Sequence, residues 1–326
     1  MKAISIDKSG DETKLVLGEA PSPDMRPECL RIRVAGAAVN RGDLVQVAGH
    51  YPPPPGASEI LGLECAGEVV EVADGVTAFA PGDRVMALIP GGGYAEEVVV
   101  HAGSVMRVPE RLTLNEAAAF PEVFLTVYLN VFMLGNLPDD GAALVHGGGS
   151  GIGTAFIQLV KAAGATCIVT AGSEDKCKRC LDLGADVAVN YREGDFVAAC
   201  KEATGGAGVD VILDSIGGRY LDQNLQSLAV GGRLMLIGLM GGARGELNLG
   251  AMLMRRLQIL GSTLRARPEA EKAEIVRGFL GRFGDALENG QIGPVVDRVL
   301  PLSEAGEAHR VMAASEHFGK LVLAID

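Results

Sequence analysis

The second half of this sequence alternates short apolar stretches with segments of helical pattern, and this alternation constrains the fold more than any other feature. Residues 154–163 and 173–183 are two of the helical segments. The apolar stretches, each a candidate strand, are 142–146, 166–170, 187–190, 209–213, 233–238 and 258–261. Strands that are apolar throughout and alternate with helices are typical of parallel sheets covered on both faces. The pattern therefore predicts a doubly wound parallel sheet.

The residues before about 108 have a different pattern, which predicts a small β-rich domain. Short β-branched stretches alternate there with turn signals, and they lie at 31–34, 68–72, 84–88 and 97–100. Four prolines at 52–55 and Gly56 predict a stiff extended loop, because proline fits neither a helix interior nor a central strand. A helical pattern then begins at 113–119.

The length of 326 residues predicts two domains, because a single hydrophobic core seldom grows beyond about 250–300 residues. We expect the β-rich domain at 1–122 and the parallel-sheet domain at 123–265. The segment 266–326 has two helical patterns and a closing strand at 320–323. We expect this segment to return to the first domain.

Charge and composition exclude several kinds of partner. A net charge of −12 disfavours nucleic acid. No apolar run is apparent that reaches a membrane-spanning length, and the first residues lack the apolar core of a signal peptide. We therefore expect a cytoplasmic protein with no membrane partner. The six cysteines are widely spaced, which favours reduced thiols. Cys177 and Cys180 form a CxxC inside a predicted helix, without a second pair, so we expect no metal there.

A glycine-rich turn joins the first candidate strand of the parallel sheet to the following helix. Residues 147–153 read GGGSGIG. Glycines allow close approach of a ligand, and free N–H groups at a helix start attract anions, so the turn is a candidate pyrophosphate site. The strict G-x-G-x-x-G spacing is not matched at any offset. A flexible connection without a ligand is the alternative interpretation.

The end of the second strand bears on the type of dinucleotide. NAD sites place Asp or Glu about 20 residues after the fingerprint, where it accepts from a ribose hydroxyl. Here the strand ends at Ala171, and Gly172, Ser173 and Lys176 follow without a carboxylate at the strand tip. These donors suit a 2′-phosphate, which favours NADPH. Alternatively, Ser173 is only a helix cap and Lys176 only a solvated side chain.

Several motifs in order along the chain resemble one family. They are AVNRGD at 38–43, GHYP at 49–52, PGASEILGLE at 55–64, PGDRV at 81–85, LIPGGG at 88–93, TVY at 126–128, HGGGSGIG at 146–153, TAGS at 170–173, NYRE at 190–193, DSIGG at 214–218 and GLMGG at 238–242. They resemble the medium-chain dehydrogenase/reductase superfamily, and within it the zinc-independent quinone oxidoreductases, including the p53-inducible quinone reductase group. The resemblance implies an α/β fold with a GroES-like β-rich catalytic domain and a Rossmann domain.

The resemblance also implies roles for individual residues. The adenine-ribose phosphate end of NADPH would be bound by Gly149, Ser150, Gly151, Ile152, Gly153, Gly172, Ser173, Lys176 and Tyr191. The remaining part would be surrounded by Ser215, Gly238, Met240, Leu264, Tyr51 and Thr126. Of these residues, Tyr51 and Thr126 would lie nearest the nicotinamide.

The same resemblance argues against zinc. Zinc-dependent relatives carry cysteine where this chain has Asn40, histidine where it has Leu63, and a third cysteine near Glu122. An amide and a leucine cannot replace thiolate and imidazole. The segment 66–142 also contains no cysteine for a structural zinc lobe. We therefore expect no metal.

The expected reaction is hydride transfer from NADPH to a quinone, an acceptor that needs no strong Lewis acid. Tyr51 is the candidate proton donor, and Asn40 or Asp43 could take part directly. Tyr51 could instead only pack against the proline loop, and Asn40 and Asp43 could only form a turn. Reduction of a conjugated carbonyl such as an enone, enal or enoyl thioester is one alternative function, and non-catalytic NADPH binding is another. Relatives commonly form homodimers through a Rossmann edge strand, for which 258–263 is the candidate.

Overall fold

The computed structural model describes residues 1–9 and 13–326. The residues that contact one another form two compact units. The first unit comprises Met1–Val123, Leu264–Gly284 and Pro294–Asp326, and the second comprises Phe124–Thr263 and Asp285–Gly293. The boundaries predicted from the sequence, 1–122, 123–265 and 266–326, stay a prediction.

The first unit is built on a mainly antiparallel sheet. The strand order is β14-β15-β3-β4-β5-β7, with β6 on the other edge of part of β3, and β1 pairs separately with β2. The strands are β1 Lys2–Asp7, β2 Lys14–Glu19, β3 Cys29–Ala38, β4 Glu64–Val72, β5 Arg84–Leu88, β6 Glu97–His101, β7 Val105–Arg107, β14 Val296–Pro301 and β15 Lys320–Ala324. The predicted stretches 31–34, 68–72, 84–88 and 97–100 all lie within strands, which confirms the β-rich part of the fold.

The end of the chain completes this sheet. Strand β15 pairs antiparallel with β3, so that Val322 lies opposite Ala38, and β14 pairs parallel with β15. The sequence prediction missed β14. This strand forms an edge, contains Asp297 and Arg298, and ends at Pro301, so it lacks the two apolar faces that identify a central strand.

The second unit is a parallel six-stranded sheet in the order β10-β9-β8-β11-β12-β13. Its strands are β8 Ala142–His146, β9 Thr166–Ala171, β10 Val187–Asn190, β11 Val209–Asp214, β12 Leu228–Leu236 and β13 Gln258–Gly261. All six predicted strands are present, which confirms the doubly wound α/β class. Strand β12 begins at Leu228 rather than 233. The sequence prediction missed its first part because Gly231 and Gly232 interrupt the apolar pattern.

Helices cover both sheets and connect their strands. They are α1 Arg41–Val47, α2 Leu114–Ala117, α3 Pro121–Val127, α4 Gly151–Ala162, α5 Glu174–Asp182, α6 Phe196–Ala203, α7 Leu221–Ser227, α8 Leu249–Arg255, α9 Glu269–Glu288 and α10 Ala305–Ala313. A π-helical segment, Tyr128–Leu134, continues α3. Residues 52–56 are in neither helix nor strand, as predicted from the prolines.

One helical stretch corrects the expectation that no apolar run reaches a membrane-spanning length. Leu114–Leu134 is long and apolar enough, by length and composition, to cross a membrane. However, 83% of its apolar window is buried inside the structure. Core helices of globular proteins have the same composition, because they are surrounded by other side chains rather than by water.

Candidate functional site

The glycine-rich turn of the second unit is held in one conformation by hydrogen bonds. The backbone N–H groups of Gly147 and Gly148 donate to the Thr170 carbonyl on β9 at 3.0 and 2.8 Å. The Ser150 hydroxyl caps α4 by accepting from the Gly153 N–H at 3.0 Å. The turn is therefore tied to the sheet and to its own helix, unlike a merely flexible connection.

Close packing explains why glycines occupy this turn. A Cβ atom on Gly153 would lie 2.4 Å from the carbonyl oxygens of Gly147 and Gly148. A Cβ atom on Gly148 would lie 2.9 Å from Val169 Cβ and Cys180 Sγ. The first N–H groups of a helix have no partner within the helix and suit a phosphate. At α4 these belong to Gly151 and Ile152, directly after Gly149 and Ser150.

Ser173 and Lys176 follow β9, the strand whose Thr170 carbonyl accepts the hydrogen bonds from the glycine-rich turn. Ser173 caps α5, and its hydroxyl accepts from the Lys176 N–H at 3.3 Å. Tyr191 is 43% exposed, and its hydroxyl lies 2.8 Å from the position of a Cβ atom on Gly172. The capping role of Ser173 is thus present. Glu174 and Asp175 are exposed on the first turn of α5.

The loop after β11, with Ser215, and the loop after β12, with Gly238 and Met240, bring three further predicted residues together. The Met240 N–H donates to the Ser215 carbonyl at 3.0 Å. A Cβ atom on Gly238 would lie 3.0 Å from that same oxygen. Met240 is 56% exposed, so its side chain is accessible to a ligand.

The sequence analysis missed a buried hydrogen-bond network at the ends of β8 and β11. His146 Nε2 lies 2.7 Å from Asn224 Oδ1, and His146 Nδ1 lies 3.1 Å from Thr170 Oγ1. Asn224 donates to Asp214, which also accepts from the Gly217 N–H at 3.0 Å. Burial lowers the pKa of His146 to about 4, so the imidazole is neutral near pH 7. Because Asn224 Oδ1 can only accept, His146 carries its proton on Nε2.

Thr126 and Leu264, two more of the predicted cofactor residues, lie in separate units. Thr126 is in α3 of the second unit, and its carbonyl accepts from Asn130 Nδ2 at 2.8 Å. Leu264 is in the first unit, where it is 5% exposed and directly precedes Arg265.

In the first unit, Asn40 belongs to a buried polar cluster. Its Nδ2 donates to Glu64 Oε1 at 2.9 Å, and its Oδ1 accepts from Lys320 Nζ at 2.6 Å. Lys320 and Glu64 form an ion pair at 2.8 Å, with side chains only 3% and 0% exposed. The amide orientation of Asn40 is thereby fixed by a cation at one end and a carboxylate at the other.

Asp43 is buried in the same region, on the first turn of α1. Its carboxylate accepts from the N–H groups of Asn40 and Gly62 and from the Tyr94 hydroxyl. Burial raises the pKa of Asp43 to about 6. These contacts show a residue that holds the start of α1 in place, while a direct catalytic role for Asp43 stays a prediction.

Tyr51 is partly buried between α1 and an arginine. A Cβ atom on Gly42 would lie 3.4 Å from Tyr51 Cε1, so the ring packs against the start of α1. The Arg265 guanidinium lies 5.0 Å from the ring centroid and donates to the Tyr51 carbonyl at 3.0 Å. It also donates to the Pro90 carbonyl and to Gln46 Oε1. Burial raises the pKa of Tyr51 to about 12, with a further contribution from the Glu122 carboxylate.

The cations of this region were not identified from the sequence. Arg265 is 2% exposed, Lys272 is 5% exposed and Lys320 is 2% exposed. Lys272 Nζ donates to the Arg265 carbonyl at 2.8 Å. One signal was available: Lys320 begins an otherwise apolar strand, and lysine is seldom fully buried unless it is paired. Arg265 and Lys272 carry no comparable signal, because their burial depends on distant parts of the chain.

The donor set here does not fit a catalytic zinc. Leu63 offers no metal ligand, and both ends of the Asn40 amide are engaged in hydrogen bonds. Within residues 1–9 and 13–326, no group of three or more His, Cys, Asp or Glu side chains could hold a metal ion. The six cysteines are free and buried.

Two family models match successive parts of the chain. Residues 26–110 match the alcohol dehydrogenase GroES-like domain, and residues 151–277 match the zinc-binding dehydrogenase domain. A phenolphthiocerol/phthiocerol polyketide synthase of Mycobacterium tuberculosis is 30% identical over 99% of this chain, which spans 15% of that protein's length.

Solved structures that resemble the whole chain include the following two. An NAD-dependent alcohol dehydrogenase is 33% identical, with a TM-score of 0.85 and 100% coverage of both chains. Escherichia coli quinone oxidoreductase, complexed with NADPH, is 28% identical, with a TM-score of 0.85 and 99% coverage of both chains. Because both domain types match in order and the likeness extends over complete chains, this protein belongs to the medium-chain dehydrogenase/reductase superfamily of oxidoreductases.

Proposed function

We propose that this protein is an NADPH-dependent, zinc-independent reductase that transfers hydride to a quinone. The observation that carries the proposal is the cluster of Asn40, Glu64 and Lys320: the Asn40 amide, at the position of a cysteine ligand in zinc-dependent relatives, is engaged by an ammonium and a carboxylate instead of a metal ion. A quinone accepts hydride without a strong Lewis acid, so such a site suits it. The likeness to a quinone oxidoreductase supports the same substrate class.

The second unit would hold the cofactor. Its pyrophosphate would bind to the N–H groups at the start of α4, beside Gly149, Ser150 and Gly153, and its 2′-phosphate to Ser173 and Lys176. Tyr191, Ser215, Gly238, Met240 and Thr126 would contact the rest of the cofactor, as would Leu264 of the first unit. When bound, NADPH supplies the hydride. The Escherichia coli relative supports NADPH, whereas the NAD-dependent relative supports the other dinucleotide.

The preference for NADPH is tested by Lys176→Met. Losing a charge-assisted hydrogen bond to phosphate costs about 1.5–3 kcal/mol, so the ratio of kcat/KM for NADPH over NADH should fall by roughly 10- to 100-fold. Lys178→Met is the matched control, because Lys178 is exposed on the same helix. A wild-type protein that prefers NADH, or an unchanged ratio in Lys176→Met, would contradict the assignment.

The first unit would supply the proton. A hydroxyl that donates to the oxyanion formed after hydride transfer acts as a general acid, and Tyr51 is the candidate because it is only partly buried. Asn40 would act by positioning this polar cluster, because its amide nitrogen donates to Glu64 Oε1 and to the Ala38 carbonyl, and its oxygen accepts from Lys320. Asp43 would hold the turn that carries Asn40.

Replacing Tyr51 by phenylalanine tests this assignment. General acid catalysis contributes roughly 10²–10⁴-fold, so kcat with a quinone should fall by about that factor while NADPH binding, measured by fluorescence titration, is kept. Tyr220→Phe is a control that preserves the ring contact with His146 and should leave kcat unchanged. Unchanged kcat in Tyr51→Phe would remove Tyr51 as the acid.

A second candidate function is reduction of an enone, enal or enoyl thioester, and the polyketide synthase relative favours it. Assays with NADPH or NADH and a panel of 1,2- and 1,4-quinones, 2-alkenals and enoyl thioesters separate the acceptors. Tight NADPH binding without turnover of any acceptor would instead indicate a non-catalytic binding protein. The homodimer through edge strand β13 and the cytoplasmic location stay predictions.

A further inference from the structure

Asn224, on α7, has a buried amide to which the function proposed above assigns no role. The residue is 0% exposed. Its Nδ2 donates to Asp214 Oδ2 at 3.1 Å, and its Oδ1 lies 2.7 Å from His146 Nε2. His146 is the last residue of β8 and Asp214 the last residue of β11, and these two strands pair in parallel. Asn224 therefore bridges the carboxyl ends of neighbouring strands.

The bridge lies at the point where the strand order of the parallel sheet reverses. The chain adds β9 and β10 on one side of β8, and then β11, β12 and β13 on the other side. In open α/β sheets a ligand binds in the crevice at this point, beyond the carboxyl ends of the strands. The glycine-rich turn follows β8, and the loop with Ser215 follows β11. The bridge thus joins the strands from which two of the loops assigned to the cofactor begin.

The hydrogen bonds of the bridge have a single direction. Asp214 Oδ1 accepts from the Ile216 N–H at 2.6 Å, and Oδ2 accepts from the Gly217 N–H at 3.0 Å. These backbone donors favour the ionised carboxylate, which can only accept. The Asn224 amide must therefore turn its nitrogen to Asp214 and its oxygen to His146. His146 then donates from Nε2, which leaves Nδ1 as an acceptor.

The same direction continues to the glycine-rich turn. The Thr170 hydroxyl oxygen lies 3.1 Å from His146 Nδ1, so this hydroxyl donates to the imidazole. Its oxygen can then accept, and the Gly147 N–H donates to it at 3.4 Å, in addition to the shorter bond with the Thr170 carbonyl. An ordered chain of hydrogen bonds thus connects the turn with the Ser215 loop. Thr170 and His146 are 1% and 2% exposed, so water does not compete for these contacts.

We propose that Asn224 and His146 are positioning residues for the dinucleotide, which hold the glycine-rich turn and the Ser215 loop at the separation that the bound cofactor requires. A site that is ordered beforehand loses less free energy on binding. The inference rests on the cofactor site of the proposed function. It applies to NADPH and NADH alike, because the two dinucleotides differ only in the 2′-phosphate, which these loops are not assigned to bind.

The first test is Asn224→Leu in the full chain, which removes the bridge and keeps a side chain of similar size. We expect the Kd values of NADPH and NADH, measured by fluorescence titration, to rise by the same factor of about tenfold. The titration is made well below the unfolding transition, where a loss of stability alone leaves Kd unchanged. Gln223→Leu, at an exposed position of the same helix, is the matched control and should bind like the wild type. Unchanged affinity in Asn224→Leu, or a rise for one dinucleotide only, would overturn the proposal.

Thr170 offers a second test, which also serves if Asn224→Leu fails to fold. Thr170→Val keeps the side-chain shape and the backbone carbonyl, but it removes the hydroxyl that links His146 to the glycine-rich turn. Both Kd values should rise by about threefold or more. Thr170→Ser restores the hydroxyl and should return them close to the wild-type values. Equal affinities in Thr170→Val and Thr170→Ser would contradict the positioning role.

A third measurement needs no cofactor. NMR of the wild type with isotope-labelled histidine should place the His146 proton on Nε2, and a proton on Nδ1 would show that the chain of hydrogen bonds does not have the inferred direction. If the affinities change as expected but no acceptor is reduced, the proposed function is wrong and the positioning role stands. A wild type that binds neither dinucleotide would overturn both.

Discussion

Gly153→Ala should destabilise the protein and weaken NADPH binding together. The added Cβ atom would lie 2.4 Å from two backbone carbonyl oxygens, those of Gly147 and Gly148, and neither can rotate away as a side chain would. Overpacking of this kind costs about 1–3 kcal/mol. Because the displaced atoms belong to the turn before α4, the N–H groups assigned to pyrophosphate should also move. We expect an affinity for NADPH at least tenfold lower, measured by fluorescence titration.

A second glycine provides the matched control. Gly281 lies within α9, and a Cβ atom there would meet nothing within 4 Å. Gly281→Ala should therefore stabilise the protein by roughly 0.5–1 kcal/mol, because alanine favours a helix and reduces the entropy of the unfolded chain. Denaturant titration should give opposite signs for the two variants. If Gly153→Ala is as stable as Gly281→Ala and binds NADPH like the wild type, the packing argument is wrong.

Local sequence predicts some strands of this fold and misses others. The strands of the second unit were predictable because each is buried on both faces, as Leu144 and Ile212 are at 0% exposure. Such strands appear in the sequence as apolar runs. Strand β14 and the first part of β12 were not predictable in this way. In both, polar residues or glycines break the run, and pairing with a neighbouring strand stabilises the strand instead.

The candidate site likewise has one part formed by consecutive residues and another formed by residues far apart in the chain. The glycine-rich turn is local, so its strand, turn and helix could be predicted from consecutive residues. The cluster around Asn40 is not local, since Lys320 reaches it from 280 residues away along the chain. Glu122 was noticed only as the place of an absent cysteine. Its effect on Tyr51 depends on the folded arrangement of the surrounding charges.

Lys320→Met should be strongly destabilising, because it leaves the Glu64 carboxylate buried without its cation. The Lys320 and Glu64 side chains are 3% and 0% exposed, and removing one partner of such a pair costs about 3–5 kcal/mol. The exposed pair of Arg310 and Glu307 is the control, with side chains 56% and 46% exposed. Arg310→Met should cost no more than about 1 kcal/mol. Denaturant titration measures both free energies of unfolding.

The double variant Lys320→Met with Glu64→Gln separates charge from packing. A glutamine at 64 removes the unpaired buried charge, which is the larger cost, although its single oxygen can accept from only one of the two donors that Glu64 binds now, the Asn40 amide at Oε1 and the Glu122 N–H at Oε2. Most of the stability lost in Lys320→Met should therefore return. Activity should not return to the same extent, because Asn40 would still lack the ammonium that fixes its amide oxygen. If stability and kcat recover together, Lys320 contributes only charge balance; if stability alone recovers, the ammonium also orients Asn40 for the reaction.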